Sequence, residues 1–531
     1  MGQLYNDALD DPLQVERVES FKGGINGFDR ATLLGPDVSQ DATNMTILEN
    51  GRMRTRAGAD KLSAAVFASG SCQGLFFYNT SSLAAGNIQY LVGGFDAATP
   101  IMKKWDGSAV TTAAGYVPTV ASYLSMAQMV NLMYIADGTQ HVYSWDGTTF
   151  TDLGTGVGNP PIASILVSHA GRMFASGIFS APDSVYASAL LTAAAGQWDN
   201  TNFNFRVGHG EGDPIVAIAS MQDYYMVVLK RNSVYMLLTP PTDVAGTAVT
   251  SATQWQSRQL TNGIGCVGKR AWAVVENDIM FLAQDGIRSV SRAPAVEGSY
   301  EIKSPLSKPV QSYINRINWS AAATTCAKTY KQRVFFAVPL DAATQPSHVI
   351  VYNSDLDVWE GVWTGWLPKV FEVTRFDNKN QLVFGDTSGY VNQWKDTADV
   401  DLATTYTDNG VDISSSLTTR AFNGGENETV KTPVHLNAIF GNFSEGTVEI
   451  DAWLDETMDG TPYTRSLLNI ENQLPVNLPF NLAVGKSAVV RQSMSDLDRY
   501  TEIYFVLSQT RLKMEIVAFA MSFYGGPIIR E

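Results

Sequence analysis

Apolar residues along this chain alternate with polar ones in short runs rich in Val, Ile, Tyr, Phe and Trp, and Gly, Asp and Asn bound the runs. Period-two alternation puts successive side chains on opposite faces of an extended strand, and the bounding residues supply turn conformations, so the pattern predicts antiparallel β structure. Long apolar runs with a helical period are nearly absent. One unit recurs: an apolar strand, a turn, and a second strand that ends near an aromatic. Leu91-Val92-Gly93-Gly94 leads to Ile101-Met102-Lys103-Lys104-Trp105-Asp106-Gly107, and Met133-Tyr134-Ile135-Ala136-Asp137-Gly138 leads to Val142-Tyr143-Ser144-Trp145-Asp146-Gly147. Further pairs begin at Arg172 and Asp183, Tyr225 and Asn232, Asp278 and Asp285, Arg333 and His348, and Leu382 and Ser388.

A hairpin cannot bury both its faces alone and needs neighbours stacked on it. The two Trp-Asp-Gly turns lie about 40 residues apart, the period of a four-stranded propeller blade. Seven such units between residues 62 and 398 therefore predict an all-β chain with a β-propeller of about six to eight blades. Wider spacing in the middle predicts insertions between residues 190 and 325. One is the Gly- and Asn-rich stretch 196–212, and another is 304–318, where Val310, Ile314 and Ile317 read as a short helix. After residue 400 the strands lengthen and alternate more regularly, as in Thr447-Val448-Glu449-Ile450-Asp451-Ala452-Trp453-Leu454, which suits a two-sheet β-sandwich. The division expected is an N-terminal extension with an interface strand (1–61), the propeller (62–398) and a C-terminal sandwich (399–531). The Asp- and Thr-rich stretch 396–410 is the linker candidate.

Composition narrows the function. The chain has 531 residues, 45% hydrophobic, and 37 Lys plus Arg against 52 Asp plus Glu give a formal charge of −15. That balance argues against gripping nucleic acid through a broad basic surface, but an acidic wall would let DNA slide past. Cys72, Cys266 and Cys326 are too few and scattered for a disulfide framework or a metal knuckle, and read as buried small hydrophobes. The polar, acidic stretch 1–11 carries no secretory signal, and no apolar run spans a bilayer, so the expectation is a chain made and assembled in a host cytoplasm.

Candidate chemistry is sparse. His209, Glu211 and Asp213 alternate with glycines and offer three ligand atoms, yet the loop reads more simply as a turn entering Ile215-Val216-Ala217-Ile218. The other histidines, His141, His169, His348 and His435, have no metal-site spacing. Lys22-Gly23-Gly24 lacks the frame of a phosphate-binding loop. The pairs Asp355 with Asp357 and Asp455 with Glu456 read as turn residues. No catalytic, cofactor or metal site is expected, and the chain is read as no enzyme. The basic cluster is Arg52, Arg54 and Arg56, whose alternation puts three guanidinium groups on one face of a strand. They can pair with carboxylates of a neighbouring subunit, touch DNA phosphate, or stay solvated.

Several pieces resemble a known family in their order. Phe21-Lys22-Gly23-Gly24-Ile25-Asn26, then Ala42-Thr43-Asn44-Met45, then the arginine run closing with Arg56-Ala57-Gly58, are similar to the N-terminal signature of phage tail nozzle proteins, the tail tubular protein B-like virion proteins. Gly212-Asp213-Pro214-Ile215 with Asn232-Ser233-Val234-Tyr235, Ile264-Gly265-Cys266 with Asp285-Gly286-Ile287, and Val351-Tyr352-Asn353 with Trp359 resemble later parts of the same family. The resemblance covers residues 20–395 and extends to the C-terminal part only in style. It implies a propeller-bearing structural protein of the virion tail that assembles as a homo-oligomeric, typically hexameric ring below the portal and adaptor proteins. Such a ring lines the channel through which viral DNA leaves without sequence-specific binding, and it carries fibres or tip proteins. This chain is shorter than the largest nozzles. The alternative is a tail propeller that binds a receptor glycan or cleaves one, which would need two carboxylates facing each other across a cleft. A cellular scaffold propeller would show more regular repeats.

Overall fold

The computed structural model describes residues 13–528 except 83–85, 223, 243–245, 293–299, 377, 397–402, 426–428, 442–446, 456, 459–462, 467–486, 495–496, 498 and 511–513. The reading of 1–11, Glu456 of the paired carboxylates and 397–402 of the linker candidate lie outside the described residues.

All seven hairpins form, each as the second and third strands of a four-strand antiparallel unit. Leu91 pairs with Trp105, Met133 with Trp145, Met226 with Leu237 and Val334 with Tyr352. Five units are built from continuous chain: Ser71–Ser82 to Val110–Thr112, Ser125–Met129 to Phe150–Asp152, Ile165–His169 to Asn204–Arg206, Ile215–Ser220 to Gln256–Asn262, and Trp272–Val275 to Tyr300–Ile302. The stretch 196–212, expected as an insertion, supplies the outer strand Asn204–Arg206 of the third unit, paired with Ser184–Ala187. Within 304–318 the expected helix is one turn, Gln311–Ile314, preceded by a 3-10 turn, and Val310, Ile314 and Ile317 are all buried.

Strands such as Tyr225–Lys230 and Arg333–Val338 are buried on both faces because a neighbouring sheet covers each side. The first and second units share Tyr78, Val92, Met133 and Trp145. The third and fourth share Phe174, Val185, Val228 and Leu237. The first strands of six of the seven units, all but Ile215–Ser220, line a common cavity of about 590 Å³, whose walls include Leu75, Ser125, Leu166, Trp272, Cys326 and Val370.

A propeller of six to eight blades followed by a separate β-sandwich is not what forms. Among the described residues no sheet closes into a ring or barrel. The sixth unit does not end at its fourth strand, Val358–Trp363. Asp41–Thr43 adds to that edge in parallel, through Thr43 opposite Val362, and brings Ser414–Thr418 with it. Ile503–Thr510 and Thr447–Leu454 follow, making one ten-stranded mixed sheet. The physical reason is an unsatisfied edge: a strand with free N–H and C=O groups is a template for any extended segment within reach. The seventh unit, Val370–Phe376, Lys379–Gly385 and Val391–Trp394, takes its fourth strand from Ala59–Lys61.

The second C-terminal sheet is also shared. Thr429–Gly441 lies between Ser487–Ser493 and Glu515–Ile528, and Glu515–Ile528 also pairs with Gln14–Val18 and with Met53–Thr55. Alternation is clean on the facing strand Thr447–Leu454 of the ten-stranded sheet, where Val448, Ile450, Ala452 and Leu454 are buried in one apolar cluster with Leu436, Phe440, Phe505 and Phe519. The same apolar cluster runs on through Val18, Phe21 and Met53 to Phe281 and Phe336. Strand pairing and core thus cross both residue 61 and residue 399.

Candidate interaction site

The three arginines sit around one short strand, and each meets a different environment. Met53–Thr55 pairs with Met45–Ile47, Thr46 opposite Arg54, and its other edge meets Glu515 and Ile516. Met53 and Thr55 are fully buried, so the alternation turns Arg52 and Arg54 away from the core. Arg52 pairs within the chain, its Nη1 donating to Glu515 Oε1 at 2.9 Å.

Arg56 breaks the expected pattern. It follows the strand's last residue, and its side chain is completely buried. Nε donates to Asn44 Oδ1 at 2.9 Å. Nη1 donates to Asp408 Oδ1 at 3.0 Å and to the Ala57 carbonyl at 3.1 Å. Nη2 donates to Asp408 Oδ2 at 2.5 Å and to the Thr364 carbonyl at 2.6 Å. All five N–H groups are satisfied, with the guanidinium 5.2 Å from the Trp366 ring centre and 5.6 Å from that of Trp363. A buried charge left unpaired would be costly, and this bidentate geometry is the arrangement that offsets desolvation. Arg56 is therefore spent inside the chain and presents nothing to a partner.

Arg54 differs. Among the described residues its guanidinium has no ion-pair or hydrogen-bond partner, and its Nε is buried without one. It lines an open cavity of about 640 Å³ together with Lys22, Glu49, Lys331, Arg333 and Trp394. Two of the cations there are already matched: Lys331 with Asp396 at 2.6 Å, and Arg333 with the fully buried Glu360 at 2.9 Å. Glu360 also accepts from Thr46 Oγ1 at 2.8 Å and Asn353 Nδ2 at 2.7 Å. Burial would lower the proton affinity of Arg333, and the neighbouring Glu360 carboxylate outweighs it, so the guanidinium is held above its usual range. Of the three expected interface residues, Arg54 is the one whose guanidinium has no carboxylate partner among the described residues.

The other sequence candidates are structural. Glu211 accepts from Tyr235 Oη and from the buried Lys230 Nζ at 3.1 Å. His209 Nδ1 lies 3.1 Å from Asp183, and Asp213 accepts from the Asn232 backbone and Ser233 Oγ. These side chains fasten the loop to the third and fourth units and do not converge on one point. Asp357 takes Tyr352 Oη and has a left-handed backbone, φ 57°, as a turn residue. Among the described residues no group of three or more His, Cys, Asp or Glu is placed to hold a metal. The three cysteines are free, and burial pushes each thiol up to about 12. Among the described residues no helix is long and apolar enough to cross a membrane. Among the described residues that wall the cavity between the first strands, the one carboxylate is Glu372, which Lys328 holds at 2.8 Å.

Linear reading missed Asp408, Glu515 and Glu360. Asp408 and Glu515 lie 352 and 463 residues from their arginines, and no local signal marks an acid as the partner of so distant a cation.

No protein-family profile matches the chain, and no curated protein does. Among solved structures it is similar to the WD40 β-propeller domain of Doa1, at 11% identity and TM-score 0.38, over 63% of this chain and 96% of that one. It is similar also to YCF48 bound to D1 peptide, at 10% identity and TM-score 0.38, over 66% and 97%. A third is the β-propeller domain of Myceliophteria thermophila Cps50 (Swd1), at 13% identity and TM-score 0.38, over 62% and 98%. Likeness this distant carries neither a fold assignment nor a function.

Proposed function

We propose that this chain is a non-catalytic structural subunit of the tail of a tailed bacteriophage, similar to the nozzle or tail tubular protein B proteins. Copies assemble as a ring, hexameric by that analogy, below the portal and adaptor, enclose the path of the exiting DNA, and carry fibres or tip proteins. The observation that supports this reading is where the signature residues meet. Ile25 N–H of the Gly-Gly-Ile piece donates to the Trp359 carbonyl at 2.9 Å. Asn44 of the Ala-x-Asn piece accepts from Arg56 of the Arg-x-Gly piece and also donates to Thr364 Oγ1 at 2.8 Å. Gly58 lies so close to Thr407 that an added Cβ would stand 1.9 Å from its carbonyl oxygen, which only glycine tolerates. The N-terminal pieces that carry the resemblance thus meet the sixth unit and the short strand Thr407–Asp408 along one seam.

Mechanically, such a subunit works by burying surface against its copies and by electrostatics. A charge of −15 repels the phosphates of passing DNA and keeps it mobile, while the unmatched Arg54 meets a carboxylate on a neighbour. The test is the mass of the purified chain, alone and mixed with the adaptor. Ring-sized multiples that form with the adaptor, and that Arg54→Glu weakens without changing the melting temperature, are expected. A chain that stays monomeric in both and cleaves polysaccharide overturns the reading.

A further inference from the structure

The cavity between the first strands holds a positive charge that the chain does not neutralise. Arg270 precedes the first strand of the fifth unit, yet its Nη2 reaches the carbonyls of Gln73 at 2.5 Å and Leu124 at 2.9 Å, in the first unit and at the entry to the second. The guanidinium lies 4.9 Å from the Tyr123 ring centre. Nη1 is buried with no hydrogen-bond partner among the described residues. Lys269, next in the chain, lines the same cavity and a smaller one of about 80 Å³ beside it. Burial and then the like charge of Arg270 hold the Lys269 ammonium below the usual lysine range, and the same two causes lower Lys369. The carboxylate of the cavity wall, Glu372, is already taken by Lys328. In a chain of net charge −15, the described wall of this cavity thus carries three cations, Lys269, Arg270 and Lys328, against one carboxylate, Glu372.

Partly desolvated cations that outnumber their counter-charges favour an anion entering from solvent, because the protein has already met the cost of holding them together. We propose that this cavity binds a small oxyanion of the phosphate type, with Lys269 Nζ as its direct ligand and Arg270 supplying the field from behind. Lys269 is exposed enough to reach a ligand, whereas Arg270 is held by the carbonyls it bridges. The cavity, at about 590 Å³, is large enough for a hydrated phosphate. This inference does not depend on the virion reading.

The experiment is calorimetric titration of the full chain with inorganic phosphate at constant ionic strength, alongside Lys269→Met and the distant Lys103→Met. Saturable binding tighter than about 1 mM is expected, weakened at least about tenfold by Lys269→Met and unchanged by Lys103→Met. Phosphate should also raise the melting temperature of the parent chain more than that of Lys269→Gln, a readout that survives if the methionine variant folds poorly. No saturable heat up to about 10 mM, or equal binding by parent and Lys269 variants, overturns the proposal.

Discussion

Between Ser71 and Ile302 each sheet is made from one continuous stretch of chain, whereas the sheets that hold Val358–Trp363 and Val391–Trp394 are finished by strands from the first sixty-one residues and from beyond residue 410. The two regions also use polar groups differently. In the continuous units, the carboxylates of the Trp-Asp-Gly turns act within a few residues of themselves. Asp106 Oδ1 accepts from the backbone of Ser108 and Ala109, Asp146 does the same for Thr148 and Thr149, and the glycines between them take φ 101° and 99°. In the composite region, carboxylates face cations brought from elsewhere: Arg56 with Asp408, Arg333 with Glu360, Arg52 with Glu515, and Arg420 with Glu16 at 2.6 Å. A local turn closes whether or not the rest of the molecule is folded. A buried ion pair between distant segments exists only once the segments have met, so it ties their folding together.

That contrast can be broken at its strongest point first. Arg56→Met should destabilise the chain by about 4 kcal/mol, because Asp408 and Asn44 lose their partner inside the seam. The urea midpoint should fall, with early exposure of Trp363 and Trp366 by fluorescence. Next comes the Arg333 and Glu360 pair. Glu360→Met alone should cost about 3 kcal/mol by stranding Arg333, and the double change with Arg333→Met should cost less than the two single changes summed, as a double-mutant cycle would show.

Asp137 sharpens the comparison from the other side, since it is a buried carboxylate served by local donors. It accepts from the backbone of Thr119, Thr139 and Gln140 and from Thr119 Oγ1. Asp137→Ala should cost about 2 kcal/mol. Burial alone would raise the proton affinity of this carboxyl, but the hydrogen bonds led by Gln140 outweigh it and hold it below the usual range. A depressed folded-state value contributes stability above the unfolded value, about 3.9, and loses it as pH falls through the folded one. The stability gap between the parent and Asp137→Asn should therefore narrow between pH 5 and pH 2, as denaturation curves at about those two limits would measure. The smallest effect belongs to the exposed turns: Asp106→Ala should cost about 0.5 kcal/mol, within the range of surface changes, by thermal melting.

How much was readable follows the same division. Each of the seven hairpins could be found because its apolar alternation and its turn residues lie within about 20 residues of each other. The burial of Val310, Ile314 and Ile317 could be read from their spacing. The closed wheel with a separate sandwich could not survive, because neither the alternation nor the turns say which segment covers the open edge of Val358–Trp363. For the arginines, period two put all three on one face of a strand; Arg52 and Arg54 do alternate with the buried Met53 and Thr55, but Arg56 follows the strand's last residue and is buried.

The sequence by itself determined the class of secondary structure, the seven hairpins, the strong acidity and the absence of familiar catalytic spacing. Only the tertiary structure decided which edge received which strand, which of three adjacent arginines was left without a carboxylate, and that Lys269 and Arg270 would share a cavity with too few acids. The reason is range: turns and alternation are fixed by neighbours along the chain, whereas edge pairing and charge neutralisation depend on segments hundreds of residues apart that become neighbours only when the apolar faces close.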